Sequence, residues 1–340
     1  MRIIGCDLHR SQQTLAMLDR DTGEEVRKTL AHDGDAVRDF YASLAAPIVV
    51  GIEATGSMGW FLQLMESLGI TCHVGHPAAI RKAETRRQKH DRRDADLLLK
   101  LLVEGRFPTI WMPSTELRDL RALLLHRHQW VRMRTRVQNA LQAIALSHGV
   151  RRGSSLWTRD GLAALTAVTL PPHASARRTA LLSVYASLEE EVEQLDARVR
   201  EVAAERGSAS LLMTHPGVGP VTALATEVFL GDPTRFRDGK ALASYVGLIP
   251  SEYSSGSRQR LGALSKQGNP FLRFLWCEAT LHASRLDPAL QRFYRRKLLQ
   301  KGVAKARVAT ARKLGIRLWI MLRDQITYDE FCRRSARPAA

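Results

Sequence analysis

Apolar positions near the start of the chain fall in short, nearly continuous runs. Residues 2–8, "RIIGCDL", read as a buried strand that ends at Asp7, and "PIVVGIEAT" (47–55) as a second such strand ending at Glu53. Between them, "QQTLAML" (12–18) and "EEVRKTL" (24–30) read as further strands joined by the turn-forming "DRDTG". Helices are predicted at about 34–45 and 58–68, a short strand at "ITCHVGH", and a helix from about 91 to 104. Strands and helices alternating after an initial meander define an α/β unit over 1–108.

From Ser114 the period changes. Leu117, Leu120, Leu124 and Val131 follow helical spacing through a stretch carrying Arg118, Arg121, Arg127, Arg132, Arg134 and Arg136. Residues 150–173 look irregular and match no motif. Beyond them, Leu188, Val192, Leu195, Val199 and Val202 form a heptad seam flanked by charges. Two long helices over 109–207 therefore suggest an antiparallel hairpin or a dimerising coiled coil. A third, mostly helical unit spans 208–335. It opens with "THPGVGPVTAL", a helix–hairpin–helix pattern in which Gly217 and Gly219 would let backbone N–H groups approach a phosphate. A Gly/Ser/Arg-rich loop, "SEYSSGSRQR", precedes a helix near 270, and a basic helical stretch, "YRRKLLQKGVAKARVATARKLGIRLW", follows.

Charge narrows the partners. With 51 Lys+Arg against 34 Asp+Glu, the 340-residue chain has a net charge of +17, the electrostatic footprint of a polyanion binder. The basic residues are spread over several segments, so nucleic acid fits better than a membrane surface. Arg132 and Arg136 of the first long helix, with Arg258, Arg260, Lys266 and Arg273 of the C-terminal unit, are candidate backbone contacts. No apolar stretch reaches the length of a membrane span and "MRIIGCDLHR" is not a signal peptide. Four scattered cysteines have no spacing for zinc or a disulfide framework, so a reducing cytoplasm fits. His9, His90 and His215 lack a ligand spacing.

Against this basic background the acids stand out. Asp91 and Asp94 are three apart, on one face at a helix start, while Asp96 lies off that face. The ordinary reading is a cap and a first-turn partner of the helix dipole. Asp7 and Glu53, however, end two strands of the same sheet, and strand ends converge on the functional edge of an open α/β sheet. Four carboxylates brought together repel unless divalent cations hold them. Mg²⁺ or Mn²⁺ would suit such hard oxygen ligands, as in ribonuclease-H-like nucleases. In "SEYSSGSRQR" a serine before glycine could act as a nucleophile beside Arg258 and Arg260, with Tyr253 as an alternative; spacing alone favours a plain polar loop.

The succession of "GCDLHR", "GIEATGS", "KHDRRDADLL", "HPGVGPVTAL" and "GDPTRFRDGKALASYVGLIPSEYSSGSRQRLGALSKQGNPFLR" resembles the insertion-sequence transposases of the IS110 family, Piv-type invertases included. The likeness runs from Asp7 to about Arg273. It implies a ribonuclease-H-like (resolvase-like) N-terminal domain with a DEDD set falling on Asp7, Glu53, Asp91 and Asp94, a coiled-coil middle, and a C-terminal transposase domain. The nucleophilic serine falls on Ser255, with Ser254 as its uncertain neighbour. The resemblance further implies recombination through a phosphoserine intermediate at a Mg²⁺-dependent composite site shared between protomers of a homodimer or dimer of dimers. A structured noncoding "bridge" RNA would pair with donor and target DNA. Three other readings compete: a Holliday-junction-resolving nuclease that activates water, an actin- or sugar-kinase-like ATPase, and a non-catalytic nucleic-acid-binding protein.

Overall fold

Each apolar run near the start becomes a strand of one five-stranded sheet. Strands β1 (Arg2–Leu8), β2 (Gln12–Asp19) and β3 (Glu25–Ala31) form an antiparallel meander. Strands β4 (Ile48–Glu53) and β5 (Thr71–Gly75) extend it in parallel with β1, giving the order β3-β2-β1-β4-β5. The computed structural model describes residues 1–83, 91–150, 153–253 and 260–336, without the side chains of residues 91, 92 and 336. The chain divides into two compact units, Met1–Thr115 and Glu116–Ala340.

In the first unit both faces of β1 are covered, which is why its sequence is almost unbroken in apolar character. Ile4, Cys6 and Leu8 point into a core with Leu15, Val50, Ile52, Tyr41 of helix α1 (Ala36–Ala42) and Phe61 and Met65 of helix α2 (Gly59–Ser67). On the opposite face Ile3 and Ala16 meet Ala95 and Leu99 of helix α4 (Asp91–Val103). A short helix, α3 (Pro77–Ala83), lies before it and was not foreseen: its one buried side chain, Ile80, leaves no periodic signal. β3 at the sheet edge buries only Leu30 and exposes charged residues, as solvated edge strands do.

The second unit is helical, apart from one two-stranded ribbon. Helices α5 (Thr115–Ser147) and α7 (Pro172–Glu205) run antiparallel, cross-linked by the ion pairs Glu116–Arg206, Arg127–Asp196 (2.7 Å) and Arg134–Glu189 (2.9 Å). Within the chain they form the antiparallel hairpin that the heptad seam allows. Leu188, Val192, Val199 and Val202 are all buried within the unit. The segment expected to be irregular contains a helix, α6 (Arg159–Ala167), capped by Thr158, whose Oγ1 accepts the Gly161 N–H at 3.2 Å. Leu156 and Leu165 anchor it against Leu141, Ala145 and Tyr185. The buried Arg178 donates to the carbonyls of Leu165 and Val168 at the end of α6. Only that tertiary burial makes so short a helix persist.

Helices α8 (Gly207–Met213), α9 (Pro220–Leu230), α10 (Gly239–Val246), α11 (Pro270–Leu286), α12 (Pro288–Asp324) and α13 (Tyr328–Ala336) complete the unit. Strands β6 (Pro250–Glu252) and β7 (Leu261–Leu264) form the ribbon. The buried Asp287 ties this part together. Its carboxylate accepts from the Leu290 N–H (2.8 Å), from the Tyr328 hydroxyl (2.9 Å) and from Arg317, capping α12 and joining it to α13. Burial pushes this acid up, but the Leu290 N–H, the Arg317 charge and the Tyr328 hydroxyl outweigh it, and it titrates below the usual range. His215 lies fully buried beside it, with Nε2 4.0 Å from the carboxylate and Nδ1 donating to the Pro216 carbonyl at 2.9 Å. Burial, the largest cause, pushes His215 down to about 4. All four cysteines are free thiols, and among the described residues no helix is long and apolar enough to cross a membrane.

Removing the Asp287 carboxylate with Asp287→Ala leaves Arg317 buried and unpaired, and should lower unfolding free energy by about 3–5 kcal/mol in urea titrations. The unfolded chain protonates His215 near 6.5, well above its folded value. Its contribution is therefore complete above that pH, falls by up to about 3 kcal/mol as pH drops from 6.5 to 4, and then levels off. Stability of wild type against His215→Gln across that window should show a pH slope confined to wild type.

Candidate active site and nucleic-acid contacts

The parallel register of β1 and β4 pairs Gly5 with Gly51 and Cys6 with Ile52. One step further on each strand stand Asp7 and Glu53, at the carboxyl ends of neighbouring strands about 5 Å apart. Alternation puts Asp7 on the same face as Ile3 and Gly5, the face covered by α4. Asp7 accepts from His9, whose Nε2 is 3.0 Å from Oδ2.

α4 lies on β1 with no side chain between them. A Cβ at Gly5 would sit 2.2 Å from the Ala95 carbonyl oxygen and 2.4 Å from the Leu99 nitrogen. Ala95 and Leu99 lie over Gly5, and Leu102 lies against the Gly51 position of β4. Asp94 in the first turn is half-buried, and Asp91 opens the helix, its side chain lying outside the description. Asp96 turns away and binds Arg27 of β3 at 2.9 Å.

Asp7 and Glu53 share one end and, by strand alternation, one face of the sheet, the face on which α4 lies. Among the described residues, no group of three or more His, Cys, Asp or Glu side chains is gathered closely enough to hold a metal. The donor set is nonetheless chemically apt for a hard divalent cation: it is all carboxylate oxygen, with no thiolate to favour zinc.

The other candidates scatter over the second unit. Ser254, Ser255 and Arg258 lie outside the described residues. The ribbon that flanks them is closed by the Tyr253 N–H donating to the Arg260 carbonyl at 2.9 Å, with Tyr253 73% exposed and Arg260 exposed. Lys266 is exposed and left-handed, at φ 53°. Arg273 donates through Nη1 to the carbonyls of Val246 and Gly268, both at 2.9 Å, so this guanidinium braces the loop before α11.

Gly217 adopts φ +83°, and a Cβ there would meet the Ala283 nitrogen at 2.4 Å. Its glycine character therefore serves contact with α11, whereas Gly219, the N-terminal cap of α9, has open space around it. On α5, Arg127 and Arg134 are consumed by ion pairs, and Arg121 by the carbonyls of Val228 and Phe229. Arg132 and Arg136 are exposed one turn apart, with no ion pair among the described residues. The sequence reading passed over a cavity of about 560 Å³ in the first unit, lined among others by Arg10, His32, Arg38 and Trp60. These residues come from separate segments and carry no spacing signal.

With this geometry in place, comparison with known proteins identifies the class. A family model described as the transposase IS116/IS110/IS902 family matches residues 209–295, and a transposase model for IS110-type DEDD proteins matches residues 4–148. The chain is 29% identical to a Pseudomonas aeruginosa protein named "Probable family 20 transposase", over 96% of this chain and 98% of that one. It is 26% identical to the transposase for insertion sequence element IS1111A of Coxiella burnetii, over 85% and 82% of the two chains. To the pilin gene-inverting protein of Moraxella lacunata it is 30% identical, over 72% and 69%. The chain belongs to the IS110 family of insertion-sequence transposases, and it is an enzyme of DNA recombination.

Placing a methyl group under α4 should displace the helix that carries Asp91 and Asp94. Gly5→Ala is expected to cost about 1–3 kcal/mol of stability in urea melts. Loss of transposition should persist at temperatures where the variant remains folded.

Proposed function

We propose that the chain cleaves and rejoins DNA strands with the sheet-edge carboxylates and a serine nucleophile. The observation that carries this reading is the register that sets Asp7 beside Glu53, with the acidic first turn of α4 over the same face. The strand order β3-β2-β1-β4-β5, antiparallel on one side and parallel on the other, supports a ribonuclease-H-like first domain. Domain limits of 1–108, 109–207 and 208–335 follow from that reading.

Asp7, Glu53, Asp91 and Asp94 would hold Mg²⁺ or Mn²⁺, which when bound supplies stabilisation of the charge that develops on the phosphoryl oxygens. Ser255 then attacks the scissile phosphorus. Its Oγ–P bond forms as its proton passes to solvent water, and the bond to the deoxyribose oxygen breaks with the electron pair leaving on that oxygen, which takes up a proton from water to become a strand hydroxyl. Attack by a strand hydroxyl on the phosphoserine reverses these changes and rejoins DNA. Ser254 is the neighbouring alternative for this role. Arg258 and Arg260 neutralise the phosphate under attack. Lys266, Arg132, Arg136 and the backbone at Gly219 suit sugar-phosphate contacts, which position a duplex without reading its sequence. Target choice in this reading comes from a structured noncoding RNA, which the +17 charge would help to hold. The paired acids and serine of two chains complete each site, in a homodimer or dimer of dimers.

The test is strand cleavage by the full chain, with element-end DNA and RNA transcribed from the element's noncoding flank. Asp7→Asn and Glu53→Gln should each reduce cleavage by several orders of magnitude. Ser255→Ala should abolish a denaturation-resistant protein–DNA adduct. An adduct that survives Ser255→Ala but not Ser254→Ala moves the nucleophile by one residue. Cleavage by wild type with no adduct at all would replace serine attack by water.

A further inference from the structure

The cavity passed over in the sequence lies on the side of the sheet covered by α1 and α2, opposite the α4 face to which Asp7 belongs, and shares with Asp7 the end of the sheet where β1 and β3 finish. Arg10 stands in the turn between β1 and β2, three residues beyond Asp7, and His32 follows the end of β3. Arg38 comes from α1, and Trp60 and Gln63 from α2. At about 560 Å³ it falls within the range of sites that take a small organic group.

Its lining combines the parts that recognise one unpaired nucleotide. Trp60 is 39% exposed at the rim, although it could have been buried with its neighbour Phe61. Its ring is steadied edge-on against His32, centroids 4.8 Å apart. Aromatic faces left in solvent beside cationic side chains are stacking platforms for bases. Arg10 and Arg38 are both exposed and form no ion pair or side-chain hydrogen bond among the described residues, so both guanidiniums are available to phosphate.

The cavity also holds polar groups placed for a base edge. His32 Nδ1 donates to the Arg10 carbonyl at 3.3 Å, which leaves Nε2 as an acceptor. That nitrogen is buried with no partner among the described residues, a state that native structures rarely leave unexplained. Asp35 lines the same space and makes no capping bond to α1, so its carboxylate can accept from a base N–H, such as N3–H of thymine or uracil. Gln63 offers both a donor and an acceptor.

We propose that this cavity binds a single unpaired nucleotide, its base against Trp60 and its phosphate on Arg10 and Arg38, in a strand that passes the Asp7 edge. The inference rests on the reading of that edge as the place where nucleic acid is cut. It adds a site for an extruded or single-stranded nucleotide, in the way that enzymes acting on paired strands hold a base taken out of the stack.

The probes are fluorescein-labelled oligothymidylate and oligouridylate of equal length, each also made with one central abasic residue, and a duplex of the same length. Binding to the full chain is followed by anisotropy. Trp60→Ala should weaken single-strand binding roughly 10-fold and Trp60→Phe much less, with duplex binding unchanged. Arg38→Ala should lower the slope of log affinity against log salt by about 1. The abasic strand should bind wild type more weakly than the intact strand, and Trp60→Ala should erase that difference. Comparison of the two intact strands decides between a DNA and an RNA occupant. Equal binding by wild type and Trp60→Ala, with melting temperatures matched, overturns the proposal. Asp7→Asn separates the two ideas: it should abolish cleavage yet retain single-strand binding. If cleavage depends on Asp7 while Trp60 has no effect on binding, the cavity proposal fails alone. If wild type binds neither strand, the cavity proposal falls, and the cleavage assay alone decides the reading of the Asp7 edge.

Discussion

A missing side chain sets the geometry of the first unit. Because residue 5 is glycine, the backbone of α4 can lie directly against β1, where even one methyl group would reach within 2.2 Å of the Ala95 carbonyl. That contact fixes both the height and the direction of the helix. Ala95 and Leu99 seat over Gly5, and Leu102 lies against the Gly51 position of β4, so the helix that opens with Asp91 and Asp94 rests on the face to which Asp7 belongs. Glu53 is brought to the level of Asp7 by strand register alone. Hydrogen bonding between parallel strands thus positions those two acids without any attraction between them.

The second unit answers a different problem, how a strongly basic chain keeps long helices together. Part of its positive charge is spent inside the structure. Arg127 and Arg134 lace α5 to α7, Arg178 closes the end of α6, and Arg317 pairs with the buried Asp287. A buried charge of this kind is costly unless its hydrogen-bond capacity is met. Asp287 meets it with a backbone N–H, a hydroxyl and a guanidinium at once. Arg132 and Arg136, by contrast, face solvent, so internal and external charges are sorted by partner rather than by residue type.

The sequence is legible where one residue's neighbours lie close along the chain. The strands of the first unit, the long helices and the family likeness are all local or collinear signals, and each element emerged within a few residues of its expected bounds. Features that rest on distant contacts were missed. Helix α6 depends on burial against residues of α5 and α7, the β6–β7 ribbon is too short and too exposed to alternate, and α3 buries a single side chain. Gly217 was read as room for a phosphate, although its φ of +83° and the nearness of Ala283 show that α11 occupies that room.

By itself the sequence determined the class of the protein: the order of its motifs, the excess of arginine, and acids at strand ends and a helix start are properties of composition and local spacing. Only the tertiary structure decided which of those charges meet. It set Asp96 apart on Arg27 and spent Arg273 on loop carbonyls. It also gathered Arg10, His32, Arg38 and Trp60 around one cavity. The reason is physical: periodicity tells which face of an element is apolar, but the partner of a polar side chain is fixed by where two faces distant in sequence come into contact.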